Sequence, residues 1–209
     1  MKKIVVEHWN RKEHYHFFKA FDEPFFSFVT HVPCQNAYHF AKDNRISYFA
    51  LYLHCSLVAV NALEAFRYRI VDDEPVVFEA IHASSTIGRN DDTFGFSFIP
   101  YRPDFEAFNQ GLQAEIEAVR NCSGLHFNEL MQRADLIHYS SIPWISFTAL
   151  SHPRIFGNDA GIPKITFGKM FQQQDQLLLP VSVCAHHALM DGLHVGRFFE
   201  LFENKMADL

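Results

Sequence analysis

The chain is poor in everything that would staple it, anchor it in a bilayer or draw it to a polyanion. Only four cysteines occur in 209 residues, at Cys34, Cys55, Cys122 and Cys184, and no two form a C-x-x-C pair. That excludes a disulfide framework and a thiolate zinc centre, and points to reduced thiols in a reducing compartment. No apolar run approaches the ~20 residues that span a bilayer; the best candidate is the short stretch 177–185, LLLPVSVCA. The opening MKKIVVEHW has too few apolar residues before Glu7 for a signal peptide, so a cytoplasmic location is expected. Positive charge is not in excess either. A formal net charge of −6 and a pI near 6.1 lack the electrostatic footprint of a nucleic-acid binder. The nine glycines and nine prolines are scattered rather than pooled in a linker, and no repeat interrupts the sequence. A single domain over residues 1–209 follows, large enough to bury about two-thirds of its unfolded surface.

What the chain has in abundance is phenylalanine, 23 residues against seven Tyr and two Trp. So many flat apolar rings suit a core, or a pocket for a bulky organic ligand. The order of elements follows from periodicity. Phe25–Val32 alternates as a half-buried strand, and Phe49, Leu53, Leu57, Val60, Leu63 and Phe66 recur at helical steps, which predicts one long amphipathic helix from Ile46. Tyr68–Val71 and Pro75–Ile81 read as a hairpin around Asp72-Asp73-Glu74. A strand is expected over Thr93–Ile99, where Phe94, Phe96 and Phe98 share a face at period two and line either core or pocket. Behind Pro103-Asp104, a second helix is marked by Phe105, Phe108, Leu112, Ile116 and Val119. Ile145–Leu150, Lys164–Phe171 and Gln176–Ala185 are expected as strands, the last two joined across Gln172–Asp175, and a helix closes the chain over about Leu193–Lys205. Hairpins and three amphipathic helices together predict a two-layer α/β sandwich of the α+β type, a mostly antiparallel mixed sheet with helices on one face.

Thirteen histidines are present, and the densest cluster is His186, His187, Asp191 and His194 in AHHALMDGLH. Three readings of it are open. On a helix, His187, Asp191 and His194 would share one face and resemble a metal-ligand set. Gly192 and the strand running into His186 argue instead for a strand-to-helix corner, where a rigidly held imidazole serves as a general base. The third possibility is a packed histidine beside a solvated one.

A resemblance separates these readings. HHALMDG resembles the H-H-x-x-x-D-G signature of coenzyme-A-dependent acyltransferases. WNRKEHYHFF (9–18), SSIPWISF (140–147), KITFGKMFQQQDQLLLPVSV (164–183) and DGLHVGRFFE (191–200) each resemble the chloramphenicol acetyltransferase family, in that order. The likeness runs from about Trp9 to Phe202 and is weakest between Asp104 and Ala134. It implies a homotrimer with active sites in the clefts between subunits, acetyl-coenzyme A as cosubstrate entering from one side, a small hydroxylated acceptor such as chloramphenicol from the other, and no metal. Carried over by residue, it implies His187 as general base with His186 beside it, Ser140 as the oxyanion donor and Thr166 as the residue holding a water against the intermediate. Ser141 is then structural, and Arg11 pairs with Asp191 to support the site with Gly192. The acceptor pocket would draw on Phe17, Phe18, Phe94, Phe96, Leu150 and His152, the coenzyme side on Trp144, Lys169 and Met170. Four of these depart from the family: Phe18 where a tyrosine is common, Phe96 for a small residue, His152 for an aliphatic one, and Met170 where an aromatic is expected against the adenine. Two alternatives stand beside O-acetylation of chloramphenicol. One keeps the fold but changes the acyl group or acceptor, as in dihydrolipoamide acyltransferases, which read D-H-R-x-x-D-G where Ala185 precedes the pair here, or in two-halved condensation domains. The other is a ligand- or metal-binding protein without catalysis.

Overall fold

In the computed structural model, which describes residues 1–154 and 160–209, the chain runs β1 (Lys2–Lys3), α1 (Lys12–Lys19), β2 (Phe25–Pro33), α2 (Gln35–Asp43), α3 (Tyr48–Ala62), β3 (Tyr68–Val71), β4 (Glu74–Val77), β5 (His82–Gly88), β6 (Phe94–Phe96), α4 (Phe105–Asn121), β7 (Leu136–Ser141), β8 (Lys164–Phe167), β9 (Phe171–Gln173), β10 (Gln176–His186) and α5 (Gly192–Ala207), with 3-10 turns at Val6–His8, Glu64–Arg67 and Glu129–Gln132. The main sheet has the order β2-β10-β8-β7-β5-β6, with β9 paired to the start of β10, and β1, β4 and β3 make a small sheet of their own. β10 is the spine: it runs antiparallel to β2 over nine residue pairs and also pairs with β8 and β9. β5, β7 and β8 are mutually parallel at the centre, so the sheet is mixed as expected. Among the described residues no helix is long and apolar enough to cross a membrane.

Strand alternation divides this sheet into two chemically opposite faces. Ile137, Tyr139, Ile165, Phe167, Val181 and Val183 join the core under the helices. Their neighbours His138, Ser140, Thr166 and Ser182 fall on the other face, in register across three strands: Ser140 opposite Thr166, and Thr166 opposite Ser182. The helical layer is centred on α3, which contacts α2, α4 and α5. α3 is not amphipathic as predicted. Leu51, Leu53, Cys55, Leu57 and Val60 are all buried, as are Tyr52, His54 and Ser56, so the helix is enclosed on every side. It is also shorter than predicted: Ser47 caps its start by accepting from Ala50 N, Leu63 is extended, and Phe66 sits in the following 3-10 turn, stacked on Phe198.

Other expectations shift for local reasons. The hairpin of β3 and β4 forms, but its turn is Asp72-Asp73, both at positive φ, and the second strand stops at Val77. Ile145–Leu150 is not a strand. Pro143 lies two residues past the end of β7, and Ile145 turns back to donate to Ile142 O while its own carbonyl accepts from Lys169 N. The strand in this region is β7 itself, held at its head by the fully buried Arg69, which donates to the carbonyls of Ala134, Phe66 and Leu136. The expected strand Lys164–Phe171 is divided at Gly168–Met170, so that β9, not β8, makes the hairpin with β10 around Gln174-Asp175. α1, α2, β1, β5 and β7 were not anticipated. The closing helix α5 and the helix α4, capped by Asp104, form as predicted with slightly longer bounds.

Gly168 marks the close approach that shapes this region: a Cβ there would lie 2.9 Å from the Phe147 ring, 3.0 Å from Pro180 Cβ and 3.1 Å from Ile145 O. Gly168→Ala is expected to destabilise the fold by about 2 kcal/mol through this overpacking, read as a fall in the urea midpoint with an unchanged slope.

Candidate active site

The end of β10 is fixed by its pairing with β2 up to the last residue, His186 opposite Phe25. Beyond it the chain turns tightly, with Leu189 N and Met190 N donating to His186 O, and His187 N donating to Pro24 O at 2.7 Å. His186 is 4% exposed and its Nδ1 accepts from Ala188 N at 3.2 Å, so its proton sits on Nε2. Burial, with Arg154 and His187 nearby, pushes its pKa down to about 4. His187 is half-buried. Its ring lies flat on Phe18, centroids 3.8 Å apart at 4°, and tilted against Phe26 at 4.7 Å. Nδ1 is buried without a hydrogen-bond partner. Aromatic packing, rather than a carboxylate, therefore sets the plane of this imidazole.

Asp191 is engaged elsewhere. Arg11 NH1 donates to Asp191 Oδ2 at 2.6 Å, and its NH2 donates to the His187 carbonyl at 3.1 Å. Asp191 is the N-cap of α5: Oδ1 accepts from Leu193 N, and His194 Nδ1 accepts from Asp191 N in return. Partial burial raises the Asp191 pKa, but the Arg11 hydrogen bond and the adjacent His194 outweigh it and hold the carboxyl down at about 2. The helix starts only at Gly192, so His187, Asp191 and His194 do not share a helical face as the metal reading required. Among the described residues no three His, Cys, Asp or Glu side chains are grouped to hold a metal ion. An added Cβ at Gly192 would meet only ordinary contacts with Phe28.

A second group lies on the polar sheet face. Ser140 Oγ is 3.5 Å from Thr86 Oγ1, while Ser141 Oγ turns to the core and bonds Tyr52 OH at 3.0 Å. Thr166 and Ser182 hydroxyls are buried without a hydrogen-bond partner among the described residues. Ser140 opens into a cavity of about 470 Å³ whose walls include Phe94, Phe96, Phe127 and Met131 and whose polar lining includes Thr86, His138 and His152. Of these, Thr86, His138, Phe127 and Met131 were not anticipated; Thr86 and His138 lie on β5 and β7, strands that the periodicity did not reveal. Phe98 does not join Phe94 and Phe96 there, packing instead on His82 and under Arg133. His152 also lines a second cavity of about 280 Å³, with Leu150 and Arg154. Burial, with the charges of Lys164 and Arg154, pushes the His152 pKa down to about 4.

The two groups are far apart within one chain. Ser140 is in register with Ser182 through Thr166, and His186 lies four residues further along β10. At about 3.3 Å per residue and about 4.8 Å per strand, the Cα atoms of Ser140 and His186 are roughly 16 Å apart, and His187 follows beyond. Phe17, 62% exposed, and Phe18 belong to the His187 side and do not line the cavity with Phe94 and Phe96. Trp144 is 77% exposed where the chain leaves β7, Lys169 is exposed on the facing turn, and Met170 is partly buried against the core.

Comparison with known proteins places this geometry. A family model described as chloramphenicol acetyltransferase matches residues 1–203. The chain is 28% identical over 201 residues to a chloramphenicol acetyltransferase of Bacillus pumilus, covering 96% of this chain and 91% of that one. It is 28% identical over 197 residues to chloramphenicol acetyltransferase 3 of Escherichia coli, covering 94% and 92%. A solved chloramphenicol acetyltransferase superimposes with a TM-score of 0.92 at 30% identity, over 99% of this chain and all of that one (100%). A probable dihydrolipoamide acetyltransferase from Listeria monocytogenes shares the fold, with a TM-score of 0.69 at 13% identity over 94% and 89%.

Arg11→Ala is expected to cost about 3 kcal/mol, since Arg11 is buried and its loss strands Asp191; urea denaturation at pH 7 measures it. The folded pKa of Asp191 lies below that of an unfolded aspartate, so this pair contributes fully above about pH 4 and fades as pH falls towards 2. Asp191→Asn is expected to lose that acid-side dependence.

Proposed function

The chain belongs to the chloramphenicol acetyltransferase family, and from that premise we propose that it transfers the acetyl group of acetyl-coenzyme A to a hydroxyl of chloramphenicol or a similar small molecule. The observation that carries this reading is the His187 ring, stacked on Phe18 with Nδ1 sealed from solvent. Nε2 is left as the nitrogen that meets a substrate. With the neutral imidazole protonated on Nδ1, Nε2 takes the proton of the acceptor hydroxyl while that oxygen attacks the thioester carbonyl. The C–S bond then breaks, and the same proton passes from Nε2 to the departing sulfur. Negative charge on the carbonyl oxygen in between is met by the Ser140 hydroxyl, a contribution of about 3–4 kcal/mol for a preorganised donor. Thr166, with its buried and unpartnered hydroxyl, is the group available to hold a water against the intermediate. Trp144, Lys169 and Met170 form the coenzyme side, and the chain is cytoplasmic and metal-free in this reading.

The distance between Ser140 and His187 requires one further element. Both serve one reaction only when they come from different copies, so the working unit is a homotrimer with a site in each cleft. The exposed rings support this: Phe17, Phe21 and Phe28 surround the His187 side, and Phe94 and Phe127 the cavity side, each about half exposed or more in the isolated chain.

Thiol release from acetyl-coenzyme A is expected to depend on chloramphenicol in the wild type and to fall by at least about 10²-fold in His187→Ala, with coenzyme A binding retained by calorimetry. A variant within threefold of wild type removes His187 from the mechanism. Co-refolding equal amounts of His187→Ala and Ser140→Ala chains is expected to restore about a quarter of wild-type activity, because random mixing pairs an intact histidine with an intact serine in that share of clefts. No recovery would place both residues in the same copy's site.

A further inference from the structure

The acceptor cavity has a polar floor whose geometry narrows what it binds. His138 and Ser140 are two residues apart on β7, so their side chains leave the same sheet face roughly 6–7 Å from one another. Both line the cavity of about 470 Å³. Ser140 is used by the oxyanion in the reading above; His138 is used by nothing. Its backbone N donates to Pro163 O, but its ring makes no hydrogen bond with any described residue. It caps no helix and bridges no strands, so the fold does not account for an imidazole here. Burial, reinforced by Lys164, Arg69 and His152, pushes its pKa down to about 4. At neutral pH the ring is uncharged and presents one N–H donor and one lone pair. Facing this floor are the rings of Phe94, Phe96 and Phe127.

We propose that His138 is a specificity-determining residue of the acceptor site, hydrogen-bonding a second oxygen of the acceptor about 6–7 Å from the oxyanion that Ser140 receives, whose carbon also bears the acylated oxygen, on a flat body that rests against Phe94 and Phe96. The inference rests on the acyl-transfer reading and deepens it. The acceptor class is a hydroxylated aromatic compound with a hydrogen-bonding substituent at the end remote from the reacting hydroxyl. An analogue without that substituent leaves the His138 ring desolvated and unpaired, which is how a polar site discriminates against a ligand of similar shape.

A matched pair of acceptors tests it: benzyl alcohol, and 4-hydroxybenzyl alcohol, whose second hydroxyl stands at about that distance from the first. Thiol release from acetyl-coenzyme A is measured for wild type, His138→Leu and His138→Asn, with chloramphenicol as a third acceptor and product analysis to show which oxygen carries the acetyl group. Wild type is expected to prefer the diol by about tenfold in kcat/KM, expressed mainly in acceptor KM and equivalent to about 1.4 kcal/mol. His138→Leu should reduce the preference to less than about twofold, and His138→Asn, which keeps a donor and an acceptor, should restore at least about threefold. The KM for acetyl-coenzyme A should not move. Equal use of both alcohols by wild type, or an unchanged preference in His138→Leu, overturns the assignment. If wild type accepts chloramphenicol alone, a rise of at least about fivefold in its KM in His138→Leu supports it, and an unchanged KM overturns it. A wild type inert with all three acceptors sinks the acyl-transfer reading itself, and this inference with it.

Discussion

The architecture around His187 depends on one guanidinium. Arg11 and Asp191 are 180 residues apart in sequence and 2.6 Å apart in space, and each stands at the edge of an element that the site needs. Arg11 immediately precedes α1, which carries Phe18 onto the His187 ring. Asp191 is the first cap of α5, whose Phe198 and Phe202 are fully buried. The second nitrogen of Arg11 holds the His187 carbonyl, so the ion pair, the proposed base and its stacking partner form one unit. Because Arg11 is almost fully buried, its charge is tolerable only with Asp191 ionised. The carboxylate is spent on Arg11 and the helix cap, and in the proposed mechanism the imidazole is left free for chemistry.

A second constraint is the division of the sheet. The face under α3 is apolar and close-packed, while the opposite face carries a row of hydroxyls and imidazoles. Histidines on and around that face are held uncharged by burial: His138, His152 and His186 all have pKa values pushed down to about 4. In low-dielectric surroundings the neutral form is the one that survives. The result is a surface of hydroxyls and neutral imidazoles beside the cations Lys164 and Arg154, suited to a polar organic ligand.

How much of this was legible in the sequence depended on which side of the sheet a residue faced. A central strand buried on both faces, such as β10, announces itself by apolar content. β5 and β7 have one apolar and one polar face of small hydroxyls, HASSTIG and LIHYSS, which weakens the alternation and hid both. The lining residues Thr86 and His138 were lost with them. Ser140 was found only because the words around it resemble a family; periodicity had no means of placing it. α3 was located correctly and misjudged in character, since its buried Tyr52, His54 and Ser56 look like a polar face until their partners are seen: Ser141, the Arg102 carbonyl and Tyr139. Arg11 and Asp191 were paired by resemblance, and no local pattern joins residues so distant.

The abundance of phenylalanine acquires a meaning in the folded chain. Phe66, Phe108, Phe167, Phe198 and Phe202 are ordinary core. Phe17, Phe21 and Phe28 remain substantially exposed on one side of the molecule, and Phe94 and Phe127 on another. Leaving such rings in water is unfavourable at about 25 cal/mol per Å², and each exposed group borders half of the proposed chemistry. In the trimer reading, the free energy gained by covering these rings also brings His187 of one copy to Ser140 of the next. Assembly and catalytic competence are then a single equilibrium. In the same reading the cleft is roofed by aromatic rings and floored by hydroxyls, imidazoles and Lys164, and that contrast between wall and floor would select the acceptor.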